Sequence, residues 1–306
     1  KNNGANNNGN IFFHVSYNDI LMTNQTKALL AVLGAAVFGS GSVIYSKIGL
    51  KEIPPFSFMF LRFLIASLFI LPFYLKSPLP LRRLWPPILV SLFSSANIFL
   101  FAFGISLTTA TVSQIIYSLV PVITAILAHF LVKEKFNQKK IAGIALGFVG
   151  LLVIIGLPQT FTGNLLLFIG ACSYSFYPVL SKKIQAQYSP WNLTVMFIFT
   201  TTVLAGLLSL TELNQAATWI NSASRLAWYS LFFVAIVGTI IYYWLTQRAI
   251  KDGSAVVGSM ILYLQPVTTY LWAAAILGER LTLPVAIGGI LTIGGAYLVT
   301  KTNHNE

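Results

Sequence analysis

Carboxylates are scarce in this chain, with seven Asp and Glu residues among 306 and only 8% charged residues altogether. A soluble domain carries about 25% charged residues, so we expect the solvent of this chain to be a lipid bilayer. All seven carboxylates lie in tails, loops or the ends of apolar stretches, which leaves no mid-span acid as a proton relay. Cys172 is the only cysteine, which excludes an internal disulfide bond.

Side chains suited to catalysis are also scarce. The sequence has three histidines and one cysteine, and it shows no nucleophile–base pair, carboxylate pair or metal-binding cluster. We therefore expect no enzyme activity, no cofactor and no metal. The net charge of +12 comes from short turns between apolar segments rather than from one soluble face, which argues against a nucleic-acid partner.

Long apolar runs are abundant, since 56% of the residues are hydrophobic. A membrane-spanning helix needs roughly 20 such residues. The predicted fold class is therefore an all-α membrane protein with ten transmembrane helices. Residues 1–21 are predicted to be a disordered or non-native N-terminal extension that ends before Met22. The ten predicted spans lie near 28–46, 56–75, 86–106, 109–132, 138–157, 163–181, 192–211, 227–247, 254–277 and 283–300.

The two halves of the chain match when the sequence is aligned with itself so that Pro121 meets Pro266, an alignment that we call the proline register. We therefore predict two five-helix repeats, at 22–157 and 158–301, and a tail at 302–306. Because five is an odd number, the second repeat should be inverted relative to the first, as in alternating-access carriers. The other residues that coincide are Glu134 with Glu279, Gly143 with Gly288, and Gly150 with Gly295.

The distribution of Lys and Arg predicts the orientation. If the N-terminus lies on side one, the turns on that side carry 13 Lys and Arg residues and those on side two carry 4. Because cytoplasmic loops carry the excess of positive charge, side one should be cytoplasmic. We therefore expect both termini inside a plasma membrane of bacterial type.

Two features carry a resemblance to a known family. Pro54 and Pro55 precede the run Leu61-Arg62-Phe63-Leu64-Ile65-Ala66, and the Pro, Glu, Gly, Gly pattern occurs in each half. Over residues 27–301 the sequence resembles the ten-helix EamA-type members of the drug/metabolite transporter superfamily. The resemblance implies a central cavity lined by helices 1, 3, 4, 6, 8 and 9, and efflux of amino acids or other small metabolites.

Arg62 has no matching arginine in the second half of the chain. The first helices of the two halves align in a second register, which pairs Ser42 with Tyr177 and which we call the serine register. It places Phe197 opposite Arg62. The second half therefore departs from the arginine pattern of the first.

Polar side chains in the middle of the predicted spans are the candidate substrate-binding residues. An unpaired polar group in lipid is costly, so these side chains should face the protein interior. There they either line a cavity or bond to a neighbouring helix. The candidates are Ser42, Tyr45, Asn97, Gln114, Tyr117, Tyr177, Tyr242 and Tyr263.

Three further residues are candidates for kinking or gating the helices. Pro121 and Pro266 each lie inside a predicted span, where a proline removes a backbone hydrogen bond and bends the helix. Arg62 lies about six residues into the second span, roughly 8 Å deep. It either meets a substrate carboxylate or phosphate, or it is a structural or gating arginine that snorkels to the interface or bonds neighbouring carbonyls, and its shallow depth favours the second interpretation.

These features predict a secondary transporter, an exporter of a small neutral, zwitterionic or anionic metabolite such as an amino acid. It would work by alternating access, with the small-molecule substrate and the lipid bilayer as its partners. Two alternatives stay open: a membrane scaffold without transport, and a carrier of a larger nucleotide-linked or drug-like compound. Gly143 and Gly147 predict a close-packing surface, within the monomer or in a homodimer.

Overall fold

Every element of the computed structural model is helical over the residues that it describes: 24–133, 142–143, 145–146, 149–150, 161–278, 280, 283, 286–288, 290–291 and 294. The predicted extension at 1–21, most of the spans at 138–157 and 283–300, and the tail at 302–306 lie outside them. Glu134, Glu279 and Gly147 also lie outside. Predictions about these parts therefore stay predictions.

Twelve α-helices are described, and we number them in chain order. Some of them join end to end, and the result is eight helical segments that are long and apolar enough to cross a membrane, within the described residues. The helices are α1 Asn24–Gly49, α2 Pro55–Tyr74, α3 Trp85–Ser106, α4 Ala110–Tyr117, α5 Val120–Val132, α6 Phe161–Ile184, α7 Pro190–Ser209, α8 Leu213–Ser222, α9 Arg225–Ala235, α10 Tyr242–Asp252, α11 Ala255–Ser259 and α12 Ile261–Leu277.

Apolar side chains cover the outside of the bundle. Phe69, Val203 and Leu271 are 55%, 64% and 62% exposed, although each lies within a long apolar helix. A water-soluble surface does not carry so many large apolar groups, whereas lipid accepts them. The chain is thus a multi-pass integral membrane protein whose described elements are all helical, as the composition predicts.

Two of the spans are interrupted near a proline. We keep the numbers of the ten predicted spans. The fourth predicted span, near 109–132, breaks at Ser118 and Leu119, between α4 and α5, and Pro121 lies in the first turn of α5. The ninth span breaks at Met260, between α11 and α12, while Pro266 lies inside α12. The two breaks therefore do not occupy the same position relative to their prolines. Proline at the first turn of a helix costs no hydrogen bond, which suits Pro121 to its place after the break.

The eighth predicted span, near 227–247, contains a π-helical turn that the sequence does not predict. This span consists of α9, the π-helical turn and α10. Residues Ile236–Ile241 form a π-helical segment between α9 and α10. The Thr239 hydroxyl donates to the carbonyl of Val234, five residues earlier. Such segments occur often at functional sites.

The contacts between helices define their directions. Gly34 faces Leu245 and Ser42 faces Gly238 across the interface, so α1 runs antiparallel to the eighth span. In α3 and α6, Gly104 faces Leu167, while the Ser173 hydroxyl donates to the carbonyl of Phe93 at 2.8 Å. These two helices are therefore antiparallel as well.

The first helices of the two halves run in opposite directions. The Lys47 ammonium at the end of α1 donates to the Thr108 carbonyl just beyond the end of α3, so α1 and α3 end on the same side. Since α6 is antiparallel to α3, it is also antiparallel to α1. The second helices, α2 and α7, show the same relation, because Ser57 bonds to Glu212 and Ser67 bonds to Thr202.

Candidate substrate-binding site

A cavity of about 70 Å³ lies between two pairs of packed helices. One pair is α1 and the eighth predicted span, and the other pair is α3 and α6. Residues from α2, α4, α12 and the π-helical segment complete its wall. The resemblance implies a lining by helices 1, 3, 4, 6, 8 and 9, and all six contribute, with Arg62 of the second helix in addition. The polar lining consists of Ser42, Ser46, Arg62, Asn97, Gln114, Tyr117, Tyr174, Tyr242, Tyr243 and Gln265.

Five of the eight candidate substrate-binding residues line this cavity, namely Ser42, Asn97, Gln114, Tyr117 and Tyr242. The other three lie elsewhere. The Tyr45 ring packs against Phe233 of α9, with 4.4 Å between the ring centroids. Helical spacing places Tyr45 on the same side of α1 as Ser42, but its longer side chain turns towards α9.

Tyr177 and Tyr263 are buried between helices and are not part of the cavity wall. Tyr177 is 1% exposed and packs against Phe197 and Tyr243, with ring centroids at 5.7 and 6.3 Å. Tyr263 is 3% exposed, and its neighbour Leu262 lines the cavity in its place. Neither Pro121 nor Pro266 lines the cavity, although both lie near helix breaks beside it.

Arg62 does not snorkel to the interface, although its depth would allow it, but bonds a neighbouring carbonyl, which is the other contact expected of a structural arginine. Its side chain is 4% exposed, because the π-helical segment offers it acceptors inside the protein. Nε donates to the Thr239 hydroxyl at 2.7 Å and Nη2 to the Gly238 carbonyl at 3.0 Å. The guanidinium also lies 5.1 Å from the centroid of the Phe63 ring, a favourable cation–π distance. These contacts fix Arg62 at the cavity wall.

Neutral polar groups from α3 and α4 form another part of the wall. The Tyr117 hydroxyl donates to the Asn97 amide oxygen and faces Gly170 of α6 closely. Gln114 is 2% exposed, and its amide oxygen accepts no hydrogen bond from any residue that the structure describes. A buried acceptor of this kind is costly unless a ligand or water pairs with it. This wall can therefore accept a hydrogen bond from a ligand.

Sequence reasoning missed Ser46, Tyr174, Tyr243 and Gln265 as lining residues. Tyr174 precedes the candidate Tyr177 by one helical turn, and Tyr243 is adjacent to the candidate Tyr242. Both tyrosines carry the same chemistry as the chosen neighbours, so only the rotation of each helix decides which ring reaches the cavity. Gln265 directly precedes Pro266, and this position in the kinked span was the available signal.

Serine contacts recur in the two halves in matching positions. The Ser40 hydroxyl contacts the carbonyls of Ala36 and Gln265 at 2.7 and 3.4 Å. The Ser175 hydroxyl contacts those of Ala171 and Val120 at 2.7 and 3.4 Å. The serine register pairs Ser40 with Ser175, and the proline register pairs Val120 with Gln265. Each serine thus binds the carbonyl of the residue that precedes Pro121 or Pro266.

Two lysines show the same correspondence at the helix ends. The Lys47 ammonium donates to the Thr108 carbonyl at 3.0 Å. Its partner in the serine register is Lys182 at the end of α6, which donates to the carbonyls of Ile250 and Gly253 at 2.9 and 2.8 Å. The proline register in turn pairs Thr108 with Gly253. Because α1 and α6 are antiparallel, these equivalent contacts lie at opposite ends of the bundle.

The two described glutamates lie outside the cavity and cap helices. Glu212 is 8% exposed and accepts from the backbone N–H groups of Phe56 and Ser57 at 3.2 and 2.7 Å. Glu52 accepts from the N–H and hydroxyl of Ser224, the N-cap residue of α9, at 2.6 and 2.8 Å. These hydrogen bonds lower the pKa of Glu52 below its usual value, because they favour the ionised form. Within the described residues, no group of three or more His, Cys, Asp or Glu side chains is placed to hold a metal.

Comparison with known proteins identifies the family. The model of the EamA-like transporter family matches residues 26–156 and again residues 161–301. The chain belongs to the EamA-like transporter family. It is therefore a membrane transporter and not an enzyme, as the sequence predicts.

Relatives of this EamA-like transporter span nearly its whole length. An uncharacterized transporter of Archaeoglobus fulgidus is 29% identical over 92% of this chain and 100% of its own length. A protein of Salmonella typhimurium described as a probable amino-acid metabolite efflux pump is 27% identical, over 90% of this chain and 95% of its own length. A solved crystal structure with 20% identity has a TM-score of 0.68, covering 91% of this chain and 98% of that one. It shares the fold.

Proposed function

We propose that this EamA-like transporter is a secondary carrier that exports a small neutral, zwitterionic or anionic metabolite, such as an amino acid, by alternating access. The single observation that carries the proposal is the cavity between the two helix pairs, whose polar wall comes from both halves of the chain. Substrate sites of carriers built from repeats lie between the repeats, near the midplane. Relatives described as probable amino-acid metabolite efflux pumps support the substrate class.

Two inverted five-helix repeats form the moving parts of the proposed carrier, at 22–157 and 158–301. The antiparallel directions of α1 and α6 and of α2 and α7 support the inversion. The matched serine and lysine contacts support the duplication. In this mechanism the contact of Lys47 closes one side of the cavity and that of Lys182 closes the other, and each breaks in turn as the helix pairs part.

The size of the cavity favours a small substrate over the larger nucleotide-linked or drug-like alternative. Its volume of about 70 Å³ is well below the roughly 300–1,000 Å³ of pockets for drug-sized ligands. Substrate entry then requires the helix pairs to separate further, as alternating access provides. Both termini are proposed to lie in the cytoplasm of a cell with a bacterial-type plasma membrane, and protease protection in oriented vesicles tests this.

Flux through proteoliposomes tests the function. The purified chain should exchange labelled amino acids across the membrane, while protein-free liposomes should not. Asn97→Ala and Tyr117→Phe should lower the flux, because they remove the two partners of a hydrogen bond at the cavity wall. Phe130→Ala is the matched control, because Phe130 is 75% exposed on the outside of the bundle. Exchange that is unchanged in both cavity variants would discard this site.

A further inference from the structure

The charge of Arg62 has only neutral partners among the described residues. Its hydrogen-bond acceptors are the Thr239 hydroxyl, the Gly238 carbonyl and the Met59 sulfur, the last at 4.0 Å, and the Phe63 ring beside it is also neutral. A guanidinium has five N–H groups, so donor capacity remains at the cavity wall. A buried charge without a counter-ion is costly. This cost is relieved when an anion enters the cavity.

The rest of the lining offers no competing charge. Among the lining residues that the structure describes, Arg62 is the one charged side chain, and the others are hydroxyl, amide or apolar groups. A carboxylate can therefore pair with Arg62 in a bidentate geometry. An ammonium group meets only neutral acceptors, such as the Gln114 amide oxygen, and is repelled by the guanidinium.

We propose that Arg62 makes a carboxylate a requirement for binding in this cavity, so that the transporter carries organic carboxylates, zwitterions included, and rejects ligands whose only charge is an ammonium. The inference rests on the proposed function, since it takes the cavity as the substrate site. It narrows that function, because neutral solutes without a carboxylate are excluded.

Three ligands with one aromatic skeleton test the requirement: 3-phenylpropionate, phenylalanine and 2-phenylethylamine. The first is an anion, the second a zwitterion and the third a cation. We expect the first two to raise the Tm of the full-length chain in detergent, since a ligand that binds only the folded state stabilises it, and the third to leave it unchanged. Stabilisation by 2-phenylethylamine, or none by 3-phenylpropionate, would overturn the proposal.

Two substitutions separate the charge of Arg62 from its structural contacts. Arg62→Gln should weaken binding of 3-phenylpropionate roughly tenfold to a hundredfold, whereas Arg62→Lys should retain part of the preference for the anion. Thr239→Val removes a neutral contact of the guanidinium but keeps its charge, so the order of the three ligands should survive even if the Tm falls. Equal loss of the preference in Thr239→Val and Arg62→Gln would contradict a role of the charge.

Flux measurements distinguish a failure of the carboxylate requirement from a failure of the proposed carrier function. If the chain exchanges 2-phenylethylamine or a neutral solute in proteoliposomes, it is a carrier and the carboxylate requirement is wrong. If it binds 3-phenylpropionate but moves no solute, the requirement stands and the carrier mechanism fails.

Discussion

Replacing Lys47 and Lys182 by methionine, one at a time, is expected to open opposite sides of the transporter. Each ammonium group joins the end of one helix to carbonyl groups at the end of another. Methionine keeps a long apolar side chain and removes only the charged donor. Because α1 and α6 run in opposite directions, the two variants lose contacts at opposite membrane surfaces.

The carbonyl acceptors among the described residues give the size of each effect. Of these, Lys182 donates to three, at 2.8, 2.9 and 3.2 Å, and Lys47 donates to that of Thr108 at 3.0 Å. A hydrogen bond from a charged group contributes about 1.5–3 kcal/mol when it is well shielded. Both lysines are half-buried, so we expect about 1–2 kcal/mol for Lys182 and about 1 kcal/mol for Lys47. Since 1.4 kcal/mol is a factor of ten, Lys182→Met should favour opening about tenfold.

Cysteine labelling reads out the two sides separately. Cys172→Ser first removes the only cysteine of the sequence. Ser46→Cys and Ser181→Cys, which are partners in the serine register, then report the ends next to Lys47 and Lys182. With a membrane-impermeant maleimide on oriented vesicles, Lys182→Met should accelerate labelling of Ser181→Cys and slow that of Ser46→Cys. Lys47→Met should do the reverse.

The controls define what would refute this reasoning. Lys183→Met removes the same charge from the exposed neighbour of Lys182 and should leave both labelling rates unchanged. Faster labelling at both reporters in both variants would mean that the lysines hold the bundle together without gating it. If neither rate changes, the contacts have no part in opening.

Three further predictions concern the helix ends and the cavity wall. Glu212→Ala should lower the free energy of unfolding by about 2–3 kcal/mol, measured by denaturation in detergent, since it leaves the N-terminus of α2 uncapped; an unchanged value refutes this. Because the pKa of Glu52 is lowered from 4.5, its bond to Ser224 should stabilise the fold above that pH and be lost as the pH falls through the lowered pKa. The Tm difference between wild type and Glu52→Gln should therefore be constant at neutral pH and vanish in acid. Gly238→Ala should lower the Tm in detergent, because its methyl group would overlap the Ser42 side chain, and adding Ser42→Gly should restore the Tm.

The architecture could be predicted from the sequence because lipid imposes a simple rule. Each span must be apolar over roughly 20 residues, so α1, α2 and α3 lie within a few residues of the predicted stretches. The π-helical segment Ile236–Ile241 could not be predicted, because the Arg62 side chain that bonds to it lies on another helix, far away in the sequence. The short helix α8 was missed for a similar reason: its Trp219 becomes buried beside Trp228 only after folding.

In the candidate site, helical periodicity alone does not predict which polar side chains line the cavity. Asn97 and Gln114 are amides in apolar helices, and burial against a polar cavity is what such groups require. Tyrosines satisfy either environment, because the ring packs between helices as readily as the hydroxyl reaches a cavity. The sequence therefore could not separate Tyr242, which lines the cavity, from Tyr177 and Tyr263, which do not.

The π-helical segment Ile236–Ile241 determines how α10, which follows it, is rotated about the helix axis. An α-helix advances about 100° per residue, so deleting one residue from Ile236–Ile241 would restore a regular helix and rotate α10 by about that angle. Tyr242 would then turn away from the cavity, and Gln247 would lose its hydrogen bond with Gln185. A single additional residue thus keeps the aromatic face of α10 directed inward, and its removal would turn that face away without substituting any residue of α10.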